Sequence, residues 1–586
     1  MNINYQSDFK LLESSSINDT ETPFRFTYRT GALGSVVAQF DGEAYTGCRR
    51  IDESTLLVIF ESHGLSAGAL EVRREYYLTD EDFASGVCHS VSVEKLDVTL
   101  TSGKSDEANA EVLVEVFPSF VKVADVGDIL VDEVGSDTTK AMSQAAATLA
   151  FVQYGDSSLE EYFAYGVEFD TAVSSPTCTR IGNSAYHRTL PIQSNMRGCI
   201  LNSTGEVVEY LPTGDWSSSM RDGSLGQVMV EIPAHYRKFV TDGTKQQVWL
   251  SERALDGYHY VPAFYVSAYE AAVRRSTLSL CSVVNTTTEY RGGNNNSAND
   301  STDLTLLGRP VTNLPIGLLH TYARRHNSST AEWNCYTYLA HKAIYWLYTV
   351  EYASLNSQAD YTSQLTADGY RQGGLGLGAT TLSYSEWSAM NNAYPLIPCG
   401  YTDSLGNGTG ELLYTAADGD GIDFSIYASR YRGIENPFGH LWQFVVGVVV
   451  NHYSSASTSS LYSSVSRLYC CEDPSNFAFP TSCEDSGYSG YEYLGDLSRF
   501  SDNYVSAMIF GESGCNLPSA TGGSSSTYCC DGFLTDTILD VPCCAYVGGA
   551  ASGALTAGLT NFAVDKDLFD DTASYIGTRL CFHPNN

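Results

Sequence analysis

The first part of this sequence consists of short runs in which apolar and polar residues alternate. This pattern is compatible with few folds. Residues 24–28, 55–60 and 110–116 are three such runs, and residues typical of turns separate them. Successive side chains of a β-strand point to opposite faces, so a period of two indicates half-buried strands. The spacing of the runs predicts a small β-sandwich over residues 1–122. Its sequence contains no catalytic constellation, so we expect a domain for attachment or assembly.

The amino-acid composition extends the prediction of a β-rich protein to the rest of the chain. Its 586 residues include 40 Tyr and 51 Gly, while only 17% are charged. This composition is typical of strands and loops rather than of a helical enzyme. Tyrosine also provides a large amphipathic contact surface with few rotatable bonds, which is why binding loops favour it. We assign at least half of the tyrosines to strands. The length is enough for about three or four domains.

A large negative charge excludes some classes of partner. The chain has 33 Lys and Arg against 68 Asp and Glu, which gives a formal charge of -35 at pH 7. The field of such a protein repels phosphate backbones and anionic membrane surfaces, so we expect no nucleic-acid partner. An acidic surface that serves only solubility is the alternative.

The lack of a recognisable targeting signal predicts synthesis in a reducing compartment, and this bears on the state of the cysteines. The first residues contain no basic segment followed by an apolar one, and no apolar run approaches the ~20 residues of a membrane helix. We therefore expect a protein made in the cytoplasm of its host cell, without membrane insertion. The 16 cysteines include the adjacent pairs Cys470-Cys471, Cys529-Cys530 and Cys543-Cys544. Because disulfides need an oxidising compartment, we predict reduced, buried thiols.

Helical patterns are few. The alanine-rich residues 136–150 begin with a Ser or Asp cap and predict the helix of a connector, which we assign to residues 123–164. Farther along, residues 314–325 and 339–353 predict two more helices, and the Gly-rich residues 373–410 predict a long irregular surface segment. The apolar face of the last helix, which we expect to be core, consists of Ala343, Trp346, Leu347 and Val350.

Motifs of common catalytic and cofactor sites are absent or incomplete. Residues 374–379 match the Gly-x-Gly-x-x-Ala letters of a dinucleotide site, but no apolar strand precedes them. The 11 histidines are dispersed, without a pair at metal-ligand spacing. His440 is the best single candidate, and we interpret it as a hydrogen-bonded core residue. We therefore predict no catalytic residue, no metal and no cofactor.

Three segments in the second part of the chain resemble one known fold. Residues 261–270 (VPAFYVSAYE), 430–442 (RYRGIENPFGHLW) and 576–582 (IGTRLCF) are similar to strands of C-type-lectin-like domains of the formylglycine-generating-enzyme type. They correspond to the opening strand, the entry to the central sheet and the closing strand. The resemblance implies a domain of this α+β type over residues 165–586. The residues that carry the scaffold motif are Arg432, Asn436, Gly439, His440, Trp442, Gly577 and Arg579.

The same part of the chain, from about residue 165 to 582, resembles the variable proteins of diversity-generating retroelements. These proteins occur in phages and prophages of gut bacteria such as Bacteroides, and the phage tropism determinant is the type member. In that family a lectin-like scaffold displays hypervariable residues at the tip of a trimeric fibre. The resemblance implies a homotrimeric tail fibre or receptor-binding protein on the virion surface. Its N-terminal domain would bind other virion proteins, and its partner would be a bacterial surface receptor, protein or glycan.

Residues 531–571 lie where this family holds its hypervariable surface. Aromatic and aliphatic residues alternate there with Gly and Ala, and we expect exposed side chains of this kind to contact the receptor. The alternative, that some of them fill the domain core, stays open. The predicted contact residues are Phe533, Leu534, Tyr546, Val547, Leu555, Leu559, Asn561 and Phe562.

Enzymatic activity is an alternative that the same resemblance raises. Formylglycine-generating enzymes bind copper through two cysteines five residues apart, whereas Cys543 and Cys544 here are followed by Gly548 and Gly549. Residues 435–437, Glu-Asn-Pro, have the letters of the lectin calcium triplet in the wrong order. We therefore expect a phage adhesin that recognises its receptor without turnover. The second hypothesis is a structural head or collar decoration fibre, and the third is a copper oxidase.

Overall fold

A computed structural model describes most of the chain. The described residues are 2–4, 9–14, 22–30, 35–42, 44–50, 55–60, 65–79, 87–101, 111–114 and 160–584, the last range with gaps at 302–303, 418–422, 458–460, 462–463, 501–502, 536–539 and 566–570. The fold is mainly β with few helices, and the chain forms two compact units, residues 1–140 and 141–586. The predicted boundary at residue 122 and the connector helix at 136–150 lie outside the described residues, as does most of the connector at 123–164.

Within its described residues, the N-terminal unit contains two sheets. Its described strands are β1 (Asn2–Asn4), β2 (Phe9–Ser14), β3 (Phe24–Arg29), β4 (Val36–Phe40), β5 (Tyr45–Thr46), β6 (Cys48–Arg50), β7 (Thr55–Phe60), β8 (Gly68–Thr79), β9 (Val87–Thr101) and β10 (Glu111–Val114). One sheet has the order β1-β9-β8-β3-β4-β5 and the other the order β10-β2-β7-β6. The alternating runs of the sequence form β3, β7 and β10, as predicted.

Both sheets contribute to one hydrophobic core. On β3, Phe24, Phe26 and Tyr28 are buried, whereas Arg25 between them is exposed. Tyr28 of the first sheet meets Phe60 of the second edge to face, with ring centroids 5.2 Å apart. Aromatic pairs in this geometry stabilise a core beyond the area that they bury. The period-two pattern therefore positions the residues that join the two sheets.

The C-terminal unit contains five sheets within the described residues. Its strands are β11 (Tyr165–Asp170), β12 (Thr179–Gly182), β13 (Arg197–Leu201), β14 (Val207–Tyr210), β15 (Gln227–Ile232), β16 (His235–Asp242), β17 (Lys245–Ser251), β18 (His259–Val261), β19 (Phe264–Ser267), β20 (Ala272–Arg274), β21 (Ser279–Cys281), β22 (Trp333–Cys335), β23 (Gly410–Ala417), β24 (Asp423–Tyr431), β25 (Ile434–Glu435), β26 (Trp442–His452), β27 (Ser466–Cys470), β28 (Glu492–Asp496), β29 (Asn503–Met508), β30 (Pro518–Thr521), β31 (Gly532–Thr535), β32 (Pro542–Gly548), β33 (Gly558–Val564), β34 (Ile576–Gly577) and β35 (Leu580–Phe582). The strand orders are β12-β11-β17-β16-β18, β14-β13-β15-β19-β35-β22, β20-β21, β23-β24-β25 and β28-β27-β26-β32-β33-β31-β29-β30, with β34 beside β26.

One buried helix lies at the centre of the C-terminal unit. The described α-helices are α1 (Glu160–Phe163), α2 (Ser184–Thr189), α3 (Ile316–Arg324), α4 (Tyr338–Tyr352) and α5 (Tyr384–Asn391). Short 3-10 helices span Gln193–Asn195, Thr288–Tyr290, Ser297–Asn299, Asp403–Leu405, Pro474–Asn476 and Ala554–Thr556. The two predicted helices correspond to α3 and α4, and every residue of α4 except Leu339 is buried. None of the described helices is long and apolar enough to cross a membrane.

The three segments that carry the fold resemblance are neighbours in the structure. Trp442 and Gln443 at the start of β26 pair in parallel with β34, opposite Ile576 and Gly577. Strand β19, within the predicted opening segment, pairs with the closing strand β35. Residues far apart in the chain therefore form adjacent strands.

The prediction for residues 373–410 is wrong in part. This stretch contains α5, and Trp387, Leu396 and Ile397 in it are buried. The indole N–H of Trp387 donates to the main-chain oxygen of Tyr394 at 2.8 Å, so the buried ring has a partner for its polar atom. The glycines of this segment led to the prediction of an irregular surface loop, but its large apolar residues pack into the core.

Candidate functional site

Arg579 is the buried centre of the scaffold motif. Its side chain is 0% exposed. Its Nε donates to Gln443 Oε1 at 2.8 Å, its Nη1 to the main-chain oxygen of Ser267 at 3.2 Å, and its Nη2 to that of Asn436 at 2.6 Å. A guanidinium has five N–H donors in a fixed plane, so one side chain joins three segments of the unit. The position is structural.

His440 is a hydrogen-bonded core residue in the structure. Its Nε2 accepts the main-chain N–H groups of Leu396 and Ile397, both at 3.1 Å. Because Nε2 accepts, Nδ1 carries the proton and donates to Glu270 Oε2 at 2.5 Å. Both ring nitrogens are therefore used within the core, and neither is available as a metal ligand.

The other scaffold residues shape the turn before β26 and its packing. Arg432 donates to Glu351 Oε1 at 2.6 Å, and its own φ of 48° lies in the left-handed region. Asn436, with a φ of 44°, and Gly439, with a φ of 78°, make the turn that follows.

After this turn, Trp442 packs edge to face on Tyr546, with ring centroids 4.9 Å apart. Gly577 pairs with β26, as described above.

Most of the predicted receptor contacts are not at the surface, and this corrects their expected exposure. Leu555 is 46% exposed and Leu534 is partly buried. A side chain without exposed area cannot contact a receptor in this conformation. The buried predicted contacts are Phe533, Tyr546, Val547, Leu559, Asn561 and Phe562.

The reason for this burial is the position of their strands. Strands β31, β32 and β33 lie inside the largest sheet and are covered on both faces. Phe562 packs against His341 of α4, with ring centroids 5.5 Å apart, whereas Tyr546 packs toward Trp442 and Phe444 on the other face. Strands covered on both faces read as apolar runs. An apolar run in a sequence does not reveal whether it is core or contact surface.

An open polar pocket lies beside these strands. Its volume is about 810 Å³. We call it the acidic pocket, because three of its lining residues are carboxylates. Asp540 falls within the predicted binding region 531–571, while the other residues come from two loops that the sequence did not single out. The pocket is lined by Tyr453, Ala456, Ser457, Thr481, Ser482, Cys483, Glu484, Asp485, Ser486 and Asp540.

Hydrogen bonds hold the wall of the acidic pocket in place. Tyr453 Oη donates to Asp485 Oδ1 at 2.9 Å. The main-chain N–H of Ser454 donates to Asp540 Oδ1 at 2.8 Å, and its hydroxyl donates to Oδ2 at 2.7 Å. These bonds, the main-chain one first, lower the pKa of Asp540, so its carboxylate stays ionised at neutral pH. The pocket thus presents negative charge on an ordered frame.

The thiol in the acidic pocket is not activated. Burial and then the neighbouring carboxylates, Asp540 first, raise the pKa of Cys483 to about 12. A thiol with this pKa is protonated at neutral pH and is a poor nucleophile or metal ligand. Among the described residues, no group of three or more His, Cys, Asp or Glu is placed to hold a metal ion. The arrangement is suited to accepting hydrogen bonds from a ligand and binding positive charge.

The structure also brings together two cysteines that no spacing rule would pair. Cys470 ends β27 and lies beside Cys515, whose sulfur accepts a hydrogen bond from Tyr338 Oη at 3.3 Å. Burial acts to raise the pKa of Cys515, but the hydrogen bonds from Cys470 and Tyr338 lower it below its ordinary value. Both cysteines are buried. The predicted burial of thiols is confirmed for all cysteines except Cys88 and Cys483.

A search with protein-family models and a search of curated proteins find no match to this chain.

Proposed function

We propose that this chain is a receptor-binding protein of a phage particle, a tail fibre or similar adhesin, whose C-terminal unit has a C-type-lectin-like fold and binds a bacterial surface receptor. The pairing of β19 with β35 and of β26 with β34 supports the lectin-like fold, because the three resembling segments adjoin as that fold requires. Diversification by a retroelement, a homotrimer, and docking to other virion proteins through the N-terminal unit belong to the same proposal.

The observation that carries the proposal is the acidic pocket. It is open, its wall is ordered by hydrogen bonds, and the thiol of Cys483 is held protonated. Such a pocket has acceptors for the hydroxyl or amino groups of a ligand, since Glu484, Asp485 and Asp540 are exposed carboxylates. Clefts of this size are typical of ligand binding. We therefore place receptor recognition here, with binding and no turnover, rather than at the buried residues of β31–β33.

The test is binding of the purified protein to intact cells of candidate gut hosts, measured by flow cytometry. The double variant Glu484→Gln and Asp485→Asn removes two charges from the pocket at nearly constant volume. We expect it to reduce cell binding about 10-fold or more, because contacts at the centre of an interface dominate its affinity. The matched control is Glu252→Gln with Asp256→Asn, which neutralises two exposed carboxylates outside the pocket.

Four other outcomes contradict the proposal in different ways. Equal loss in both double variants would indicate a nonspecific charge effect, and an unchanged affinity of the pocket variant would move the site elsewhere. Absence of binding to every host would favour the decoration fibre. Stoichiometric copper binding with consumption of oxygen would favour the oxidase.

A further inference from the structure

Two arginines of the C-terminal unit lie at the ring of one tyrosine, and a hydrogen bond and ion pairs connect them to two more arginines. The guanidinium of Arg180 lies over the ring of Tyr370, 4.9 Å from its centroid, and that of Arg188 lies 5.9 Å from the same centroid. Arg180 Nη2 also donates to the main-chain oxygen of Arg371 at 2.8 Å. Arg371 in turn shares an acidic partner with Arg432. We call these four residues the arginine cluster.

The arginine cluster carries more positive charge than its acidic partner balances. Glu351 is 1% exposed and pairs with Arg432 at 2.6 Å and with Arg371 at 3.7 Å. Arg180 and Arg188 form no ion pair with any residue that the structure describes. The chain as a whole has 33 basic residues and a formal charge of -35. An excess of guanidinium groups at one place is therefore opposite to the average field of the protein.

Two arginines of the cluster, Arg188 and Arg371, have side chains that a ligand can reach. The Nε of Arg180 is buried and has no hydrogen-bond partner within the described part of the chain. Arg188 is exposed, and none of its N–H groups donates to a described residue. The side chain of Arg371 is 36% exposed. A ligand would therefore contact Arg188 and Arg371, and the guanidinium of Arg180, which has no ion-pair partner among the described residues, adds positive charge to the site.

Neighbouring titratable groups leave a net positive charge at the cluster, because four arginines face only Glu351 and Asp368 among the described residues around them. Asp368 is exposed on the turn before Tyr370 and forms no ion pair with a described residue. His187 lies against the Tyr370 ring, with centroids 6.0 Å apart. Burial mainly, with the charge of Arg180 added, lowers the pKa of His187 to about 4, so the imidazole is neutral at pH 7.

We propose that the arginine cluster binds an oxyanion, a carboxylate or phosphate, carried by an acidic surface glycan. A planar guanidinium binds both oxygens of such a group at once, which makes arginine the preferred residue for them. The cluster is an isolated positive patch on an acidic chain, so it suits a ligand with separated acidic groups. A nucleic acid, with its continuous row of phosphates, would be repelled by the surrounding field.

This site is separate from the acidic pocket. The two share no residue, so anion binding here does not depend on the pocket, whereas the surface glycan as its source rests on the proposed receptor-binding function. One binds negative groups through donors, and the other offers acceptors.

The experiment measures binding of oligogalacturonate and of inorganic phosphate to the full chain by isothermal titration calorimetry at two NaCl concentrations. A neutral galactan oligomer of equal length is the uncharged control, and a single-stranded oligonucleotide is the polyanion control. We expect oligogalacturonate to bind, more weakly at high salt, and the double variant Arg188→Ala with Arg371→Ala to lose about 10-fold or more in affinity. Arg188→Lys keeps the charge without the planar fork, and we expect an intermediate affinity.

The matched control is Arg253→Ala with Arg274→Ala, which removes the same charge from two exposed positions outside the cluster. Its affinity is expected to equal that of the unaltered chain, and melting temperatures verify that all variants fold. The proposal is overturned if the unaltered chain binds neither acidic probe, if both double variants lose affinity equally, or if the oligonucleotide binds as tightly as oligogalacturonate.

Discussion

Asp531 is an ionisable residue that the fold has removed from water. Its Oδ2 accepts the main-chain N–H and the hydroxyl of Thr560, both at 2.6 Å. Its Oδ1 has no hydrogen-bond partner among the described residues and faces Gly558, where a Cβ would lie 2.1 Å away. Burial raises the pKa of Asp531 from 3.8 to about 8, although the bonds from Thr560 oppose this. The carboxyl is therefore neutral at pH 7.

This raised pKa predicts a pH-dependent stability. The unfolded chain loses the Asp531 proton near pH 4 while the folded chain keeps it to about pH 8, so the free energy of unfolding falls as the pH rises between these values. The contribution is fully present below pH 4 and is lost by about pH 8. Asp531→Asn cannot ionise. We expect its stability relative to the unaltered chain to increase by about 1 kcal/mol per pH unit in this window.

Urea denaturation at pH 5, 6, 7 and 8 measures the difference between the two proteins. The amide keeps an acceptor for Thr560, so the variant is expected to fold. A difference that does not change with pH would show that Asp531 is ionised in the folded chain.

At the level of elements, α4 shows what local pattern and long-range packing each contribute. Thr337 caps the helix, since its hydroxyl oxygen accepts the N–H of Ala340 at 3.2 Å, and Ala353 ends it with a left-handed φ of 51°. The sequence predicts this helix and one apolar face. The structure buries nearly all faces of it, because strands of different sheets contact it on several sides.

This burial predicts a large loss of stability when a core side chain of α4 is truncated. Leu347 is 1% exposed. We expect Leu347→Ala to lower the free energy of unfolding by about 2–5 kcal/mol, because a cavity is left where the side chain was. Leu339→Ala, at the partly exposed position of the same helix, is the matched control, with an expected loss below about 1 kcal/mol. Urea denaturation compares them, and equal losses would contradict the burial of Leu347.

At the level of the whole molecule, the two compact units have separate cores. The buried cluster of the N-terminal unit contains residues between Phe24 and Leu100, and the clusters of the C-terminal unit contain residues from Tyr165 onward. Domains with their own cores unfold independently in many proteins.

Separate cores predict two unfolding transitions for the full chain in differential scanning calorimetry. We expect a fragment of residues 141–586 to fold and to retain one of these transitions within about 2–4 °C, because its core is complete. The fragment of residues 1–140 serves as the complementary control and should show the other. A single transition of the full chain that neither fragment reproduces would mean that the units stabilise each other.

Some features of this protein can be predicted from the sequence and others only from the tertiary structure, because a sequence pattern reports on residues that are close together in the chain. Apolar residues that recur every two residues predict β3 and β7, and apolar residues that recur about every 3.6 residues predict α4. Both patterns depend only on residues that are near one another in the chain. The sequence also singled out the segments that became β19, β26 and β35. These local signals established the strands, the buried helix and the mainly β class.

Which residues cover which faces depended on long-range pairing. Phe562 is of the residue type expected for a receptor contact, but it lies in the core because α4 packs on its strand. The acidic pocket joins Tyr453 and Asp485 to Asp540, and the arginine cluster joins residues between Arg180 and Arg432. No local pattern links such positions, since their proximity arises only when separate strands and loops pack around one core.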